Sequence, residues 1–159
     1  GLIRSQYPKD SLHILGFSAV ARRMTPEELT YISWDDFTPY TNMQLAFTMA
    51  RKLLSKEQAA NKQIIMISDG QPTSHVENGQ IVFHFPPTRR CIDVTLREVQ
   101  NCTRAGIVIN TFMLPSREDF GFFVDRMARL NHGRVFFTEP SDLGKYIIVD
   151  YLNNKKSRI

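Results

Sequence analysis

The sequence has no long apolar run and almost no cysteine. No hydrophobic stretch in its 159 residues approaches the roughly 20 residues of a membrane-spanning helix, so we expect no membrane association. No signal peptide is recognisable, and the chain opens with Gly-Leu instead of Met, so we expect a fragment of a cytoplasmic protein. The two cysteines, Cys91 and Cys102, lie about 16 Å apart along one predicted helix and cannot pair, which suits small core residues in a reducing compartment.

The motifs of catalysis and phosphate binding are also missing. The chain has no Gly-rich phosphate loop, no Ser or Cys in a nucleophile elbow, and no His-x-x-x-His or Cys-x-x-Cys pair of metal ligands. We therefore expect a protein that is not an enzyme. The alternative is a hydrolase in which Asp69 and His75 act together, His75 as general base, with His84 and Asp35 or Asp36 completing the cluster.

Charge of one sign is not concentrated in the chain. Lys and Arg number 20 against 16 Asp and Glu, a net charge of +4, and only the tail from Lys155 to Arg158 is a basic cluster. Such a tail is more often a solvated chain end than a nucleic-acid arm. We expect no nucleic-acid partner, and a steep salt dependence of DNA affinity would be needed to support one.

What is present suits one globular domain over residues 1–159. The composition is 42% hydrophobic and 11% aromatic, and a chain of this length can bury about 70% of its unfolded surface. We find no internal repeat and no low-complexity tract, so no second domain is expected.

The stretch from Ile64 to His75 organises the rest of the chain. Ile64 to Ile67 are apolar without interruption and are followed by Ser-Asp-Gly, which predicts a strand buried on both faces of a parallel sheet. Asp69 then lies at the carboxyl end of that strand, where open α/β sheets bind ligands. The alternative is turn chemistry, because an Asp before Gly can bond to the backbone two residues later.

Strands and helices alternate along the chain, which predicts right-handed βαβ units and a mostly parallel sheet with helices on both faces. A turn at Glu77-Asn78-Gly79 predicts a small hairpin that borders the Asp69 end of the sheet, with His75 hydrogen-bonded locally and exposed Phe83 or Phe85 shaping partner choice. The predicted strands are 12–17, 20–24, 64–67, 107–114 and 134–138, and the predicted helices are 1–6, 25–32, 41–56, 89–105, 116–131 and 140–152, with a loop at 33–40.

The ordered set of these segments resembles a von Willebrand factor type A (VWA) domain. The strand Ile64 to Ile67 leads into Ser68-Asp69-Gly70, Thr41-Asn42 opens the helix before it, and strand-helix-strand-helix follows over 107–152. The segments 63–70, 72–75, 102–107 and 111–114 resemble, more narrowly, a bacterial, CoxE-like branch that is often linked to AAA+ ATPases of the chelatase and chaperone kind.

The resemblance implies a three-layer, Rossmann-like fold and a protein-interaction module with a metal-ion-dependent adhesion site. In that family a divalent cation, usually Mg²⁺, lies at the carboxyl edge of the sheet, and an acidic residue of a partner protein completes its ligand shell. By resemblance Thr41 supplies a hydroxyl ligand and Asp69 the carboxylate. Ser68, Asn42 and Gly70 are their neighbours. The alternative for Thr41 is a plain helix N-cap.

One departure from the family pattern matters. The family's metal loop, Asp-x-Ser-x-Ser, follows a central first strand, and neither occurs in this chain. We therefore expect weak metal binding or none by these residues alone. The missing strand also leaves the strands at 12–17 and 64–67 each with an open edge. Either those edges pair directly, or a strand of another chain fills the gap, as in a strand-swapped homo-oligomer, which we favour.

Overall fold

The computed structural model describes residues 10–32, 39–115 and 121–156. The predicted helix at 1–6, Asp35 and Asp36, and the predicted helix start at 116–120 lie outside these residues. In chain order the elements are β1 (Ile14–Phe17), β2 (Ala21–Met24), α1 (Met43–Leu54), β3 (Lys62–Ser68), β4 (Ser74–Glu77), β5 (Gln80–Phe83), α2 (Arg89–Arg104), β6 (Ile107–Met113), α3 (Gly121–Asn131), β7 (Val135–Phe137) and α4 (Leu143–Lys156).

The main sheet is parallel and has the order β3-β6-β7. Ile64 is paired with Ile109 and Ser68 with Met113, so the two longest strands are in register over their full length. β7 pairs with the second half of β6. The three strands therefore end at one edge, which we call the carboxyl rim.

Helices cover both faces of this sheet, as predicted. Helices α1, α2 and α3 pack on one face and form the main hydrophobic core with alternate residues of β3 and β6; its buried members are Met43, Phe47, Met66, Leu96, Val99, Cys102, Ile107, Ile109, Met113, Phe123, Val124 and Met127. Burying this many side chains is the dominant stabilising term of the fold.

Helix α4 lies on the opposite face and is held there by polar contacts. Asp150 is 2% exposed, and its Oδ2 accepts hydrogen bonds from Asn110 of β6 and Gln63 of β3. Its Oδ1 lies 2.6 Å from the guanidinium of Arg134. Because a buried carboxylate needs such partners, this cluster fixes α4 against the sheet. The three-layer α/β architecture is thereby confirmed.

The first hairpin stands apart from the main sheet. β1 pairs antiparallel with β2 from Ile14 opposite Met24 to Phe17 opposite Ala21. Within the residues that the structure describes, β1 has no second strand partner and β3 pairs only with β6. The two edges do not pair directly with each other, so the first of the two expected ways to close the gap is not the one observed.

The open edge of β3 also changes its burial. The prediction that Ile64 to Ile67 are buried on both faces is wrong, because Met66 is 5% exposed but Ile67 is 38% exposed. A strand with a neighbour on one side only keeps part of its outer face in contact with water. The apolar sequence of β3 is typical of a central strand, but among the described residues β3 is an edge strand of its sheet.

Other element boundaries follow their local sequence. Thr25 and Glu28 exchange the two hydrogen bonds of a capping box, but the segment that they open is only a 3-10 turn at Glu28–Thr30 instead of a helix to Ile32. Asn78 and Gly79 both adopt positive φ at the tip of the β4–β5 hairpin, as tight hairpin turns require. None of the helices in the described ranges is long and apolar enough to span a bilayer.

Candidate functional site

The carboxyl rim is formed by the segments that leave β3, β6 and β7. The N–H of Leu114, just beyond β6, donates to the carbonyl of Ser68 at 2.9 Å. The N–H of Thr138, just beyond β7, donates to the carbonyl of Met113 at 3.1 Å. These bonds continue the sheet past the strand ends and align the three connections side by side, so Asp69 lies at the edge where open α/β sheets commonly bind ligands.

Asp69 is not used by the turn in which it lies. Ser68 makes the turn instead: its Oγ accepts from the N–H of Gly70 at 3.3 Å. Asp69 is exposed, and its carboxylate has no hydrogen-bond or ion-pair partner within the described ranges. The turn chemistry offered as the alternative for Asp69 therefore belongs to Ser68, and the carboxylate is available to a ligand.

Thr41 does not cap helix α1. The N-cap is Asn42, whose Oδ1 accepts from the N–H of Leu45 at 3.0 Å. The Oε1 of Gln44, three residues after Thr41, accepts from the N–H of Val76 on the β4–β5 hairpin at 2.8 Å. The hydroxyl of half-buried Thr41 takes part in none of the hydrogen bonds between described residues. Asn42 is the cap because its side chain and backbone also have tertiary hydrogen-bond partners. The Thr41 hydroxyl therefore makes no hydrogen bond within the described residues.

Thr41 and Asp69 lie at the same end of the sheet. The carbonyl of Thr41 accepts from the N–H of Thr73 at 3.0 Å, and the N–H of Thr41 donates to the Thr73 hydroxyl at 2.8 Å. Thr73 follows Asp69 by four residues, which can span at most about 14 Å. The two predicted ligands are thus held to one side of the molecule. That they share one metal ion stays a prediction.

Asn42 has a larger part in the rim than its predicted place as a neighbour suggests. It is fully buried, its Nδ2 donates to the carbonyl of Ala19, and its N–H donates to the carbonyl of Ser18. Ser18 and Ala19 form the turn that leaves β1. Asn42 therefore joins the separate β1–β2 hairpin to the start of α1, which sets the position of the first hairpin relative to the rim.

These residues fit a divalent cation only in part. A small hard cation such as Mg²⁺ takes about six oxygen ligands, and Asp69 and Thr41 offer one carboxylate and one hydroxyl. No group of three or more His, Cys, Asp or Glu side chains within the described residues is arranged to hold a metal. The remaining oxygens must come from water, from a partner or from residues beyond those described.

His75 is withdrawn from the rim. Its side chain is fully buried and stacks on the ring of His84 with 5.4 Å between centroids. Burial lowers the pKa of His75, and the nearby carboxylate of Glu77, 3.9 Å from Nε2, opposes this shift. Neither ring nitrogen has a hydrogen-bond partner among the described residues, so the prediction of a local hydrogen bond to His75 is wrong. A base must reach its substrate, and this imidazole does not reach the surface.

The two cysteines are core residues. Burial raises the pKa of Cys91 to about 11 and that of Cys102 to about 12. Both thiols are free and buried, and the Sγ of Cys91 lies 3.1 Å from the carbonyl of Pro72. A thiol that stays protonated near neutral pH is a poor nucleophile.

A parallel sheet between helical layers is consistent with the fold of a VWA-type domain. Residues 1–152 match the family described as "Rv0959-like protein, vWA domain", and the chain belongs to that family. It is 29% identical over 160 residues to Uncharacterized protein Rv0959 of Mycobacterium tuberculosis and to Uncharacterized protein Mb0984 of Mycobacterium bovis. Each match covers 98% of this chain and 24% of the relative. The chain thus spans about a quarter of the length of these relatives.

Proposed function

We propose that this VWA domain is a protein-interaction module whose carboxyl rim takes Mg²⁺, with Asp69 and Thr41 among the ligands. The observation that supports it most directly is that the Asp69 carboxylate at the tip of β3 has no partner among the described residues, while the β3–β4 connection beside it is bonded to Thr41. With one carboxylate on a doubly charged ion, the site keeps positive charge. An acidic side chain of a partner protein is the natural last ligand.

We further propose that the partner is an AAA+ ATPase and that the module works in the cytoplasm. The resemblance of the segments around Asp69, Cys102 and Thr111 to the CoxE-like branch supports the ATPase. Two free, buried thiols support a reducing compartment. If the assignment is right, the ATPase is retained by the immobilised protein in Mg²⁺ and released by EDTA.

The gap between β1 and β3 belongs to the same proposal. Both strands have an open edge within the described residues, and a strand placed there would end near Ser18, Thr41 and Asp69. We propose that a strand from outside the described residues occupies this gap, supplied by a second copy in a strand-swapped oligomer.

The metal assignment can be tested by amide resonances. Titration with Mg²⁺ should shift the amides of Thr41 and Gly70, and Asp69→Asn should abolish these shifts because the only carboxylate ligand is gone. Asp125→Asn is the control, since Asp125 is an exposed carboxylate on α3. Unchanged shifts in the Asp69→Asn variant, or shifts clustered away from the rim, would show that the metal site is elsewhere.

A further inference from the structure

The β4–β5 hairpin reverses the usual distribution of polar and apolar side chains. At the end of β5 and just beyond it, Phe83 is 47% exposed and Phe85 is 76% exposed, while the ring of His84 between them stacks on that of fully buried His75. Alternate residues of a strand point to opposite sides. Here the imidazole of His75 is buried and that of His84 half-buried, while the phenyl rings of Phe83 and Phe85 face water.

This reversal does not serve the stability of the chain. Exposed phenyl rings forgo hydrophobic stabilisation, and the two ring nitrogens of His75 are buried without hydrogen bonds among the described residues, which is unfavourable. Places where a sequence breaks such rules without local compensation are commonly functional. The ring of Tyr40 packs on Phe83 with 4.5 Å between centroids. We call Tyr40, Phe83 and Phe85 the aromatic platform.

The platform is fixed to the candidate metal rim. Backbone hydrogen bonds join Thr73 and Ser74 to the carbonyl of Thr41, the residue that follows Tyr40. The N–H of His84 donates to the carbonyl of Thr73 at 2.8 Å, which brings the Phe83 to Phe85 segment to the same place. A partner that reaches Thr41 therefore also reaches the platform.

The charges beside the platform favour an acidic occupant. Helix α2 begins four residues after Phe85 with Arg89 and Arg90 and has no acidic residue in its first turn. Cations are unfavourable at this positive end of the helix dipole, where carboxylates are favoured. Arg90 is paired with Glu77 at 3.1 Å. The side chain of Arg89 is 96% exposed, and its ion pair with Asp93 is long, with 3.8 Å between Nε and Oδ2. Arg89 and the helix end thus complement a carboxylate.

We propose that the aromatic platform binds a segment of the partner protein in which an aromatic or aliphatic side chain lies beside acidic residues. The apolar side chain packs on Phe83 and Phe85, and a carboxylate faces Arg89. This inference rests on the proposed function, since it gives the chemistry of the partner segment for the same rim.

The test uses a displayed library of short random peptides as the probe, in Mg²⁺. Wild-type protein should select peptides that combine acidic and apolar residues, and Phe85→Ser should bind a selected peptide about tenfold more weakly, since exposed aromatic anchors dominate interfaces. Arg89→Glu should weaken it comparably, and Phe85→Tyr should retain affinity. Phe122→Ser is the matched control, because Phe122 is 82% exposed on α3, outside the platform. It should bind within about twofold of wild type.

Three outcomes would overturn the proposal: selection of peptides that lack either feature, no selection that depends on Phe85, or equal weakening by Phe122→Ser. Repeating the peptide-binding measurement in EDTA, and with the Asp69→Asn variant, separates the proposal of the aromatic platform from that of the metal site. Binding that needs Phe85 but not the metal supports the platform and contradicts the metal rim. Binding that needs the metal but not Phe85 supports the metal rim and contradicts the platform.

Discussion

Gly133 lies where the structure leaves no room for a side chain. A Cβ built there would lie 1.8 Å from the carbonyl oxygen of Ile109 and 2.8 Å from its carbon, both backbone atoms in the centre of β6. Neither can move without disturbing the strand. The same turn is held by Asn131, whose Oδ1 accepts from the N–H of Ile109 and whose Nδ2 donates to the carbonyl of Ile107. Gly133→Ala therefore pushes β6 away from the end of α3.

The expected loss can be worked out from these contacts. Overpacking a core costs about 1–3 kcal/mol, and leaving a buried backbone group of Ile109 or Ile107 unpaired costs about 1–3 kcal/mol more. We expect Gly133→Ala to lower the free energy of unfolding by about 3–5 kcal/mol. In a domain of this size that is a fall in melting temperature of about 10 °C, which urea unfolding and thermal melts both resolve.

Gly144 provides the matched control. It lies in the first turn of α4, and a Cβ there would meet no atom within 4 Å. Gly144→Ala should stabilise the chain by about 0.5–1 kcal/mol, because alanine loses less backbone freedom on helix formation than glycine does. If Gly133→Ala costs less than about 1 kcal/mol, the close packing of the α3–β7 turn on Ile109 is not as described.

Three further expectations concern the hairpins and the open edges. Burial lowers the pKa of His75 in the folded state, so its contribution to the free energy of unfolding should be fully present above about pH 6.5 and should fall with decreasing pH by up to about 1.4 kcal/mol per unit; urea unfolding across this range should show a flatter profile for His75→Phe, and a profile that this substitution leaves unchanged would contradict the assignment to His75. Asn42→Ala should cost about 1–3 kcal/mol, since it removes both a cap and a buried hydrogen bond to Ala19; Thr88→Ala, which removes only the cap of α2, should cost about 1 kcal/mol, and equal losses would contradict the link through Asn42. Light scattering should show a strand-swapped oligomer, and a monomer with exchange-protected edge amides in β1 and β3 would rule it out.

The elements that are decided by neighbouring residues could be predicted from the sequence. The apolar runs of β3 and β6, the Asn78-Gly79 turn and the start of α2 at Arg89 are each set by residues within a few positions, and all are found where predicted. Periodicity also gave the layer order, because alternating strands and helices have few ways to pack.

Tertiary contacts decide the rest, and these leave little trace in sequence. Thr41 and Asn42 are both good caps; Asn42 is chosen because Ser18 and Ala19, more than twenty residues earlier, accept its hydrogen bonds. His75 packs against His84, which follows the end of β5. No local sequence pattern predicts this contact. Because Asn42 caps the helix and Ser68 makes the turn, the Thr41 hydroxyl and the Asp69 carboxylate have no partner within the described residues. The residues of the candidate site could therefore be predicted from the sequence, but their hydrogen bonding could not.

The proposed metal site and the open edges of β1 and β3 can be explained by the same proposed strand. A strand between β1 and β3 would pair their backbone groups, whose desolvation without partners costs about 1–3 kcal/mol each. The loop leaving its carboxyl end would enter the crevice between Ser18, Thr41 and Asp69, because parallel strands end at the same edge. If the proposed strand also carries oxygen ligands, folding and metal binding at this rim are coupled. A partner's carboxylate would therefore bind a site that exists only when the sheet is closed.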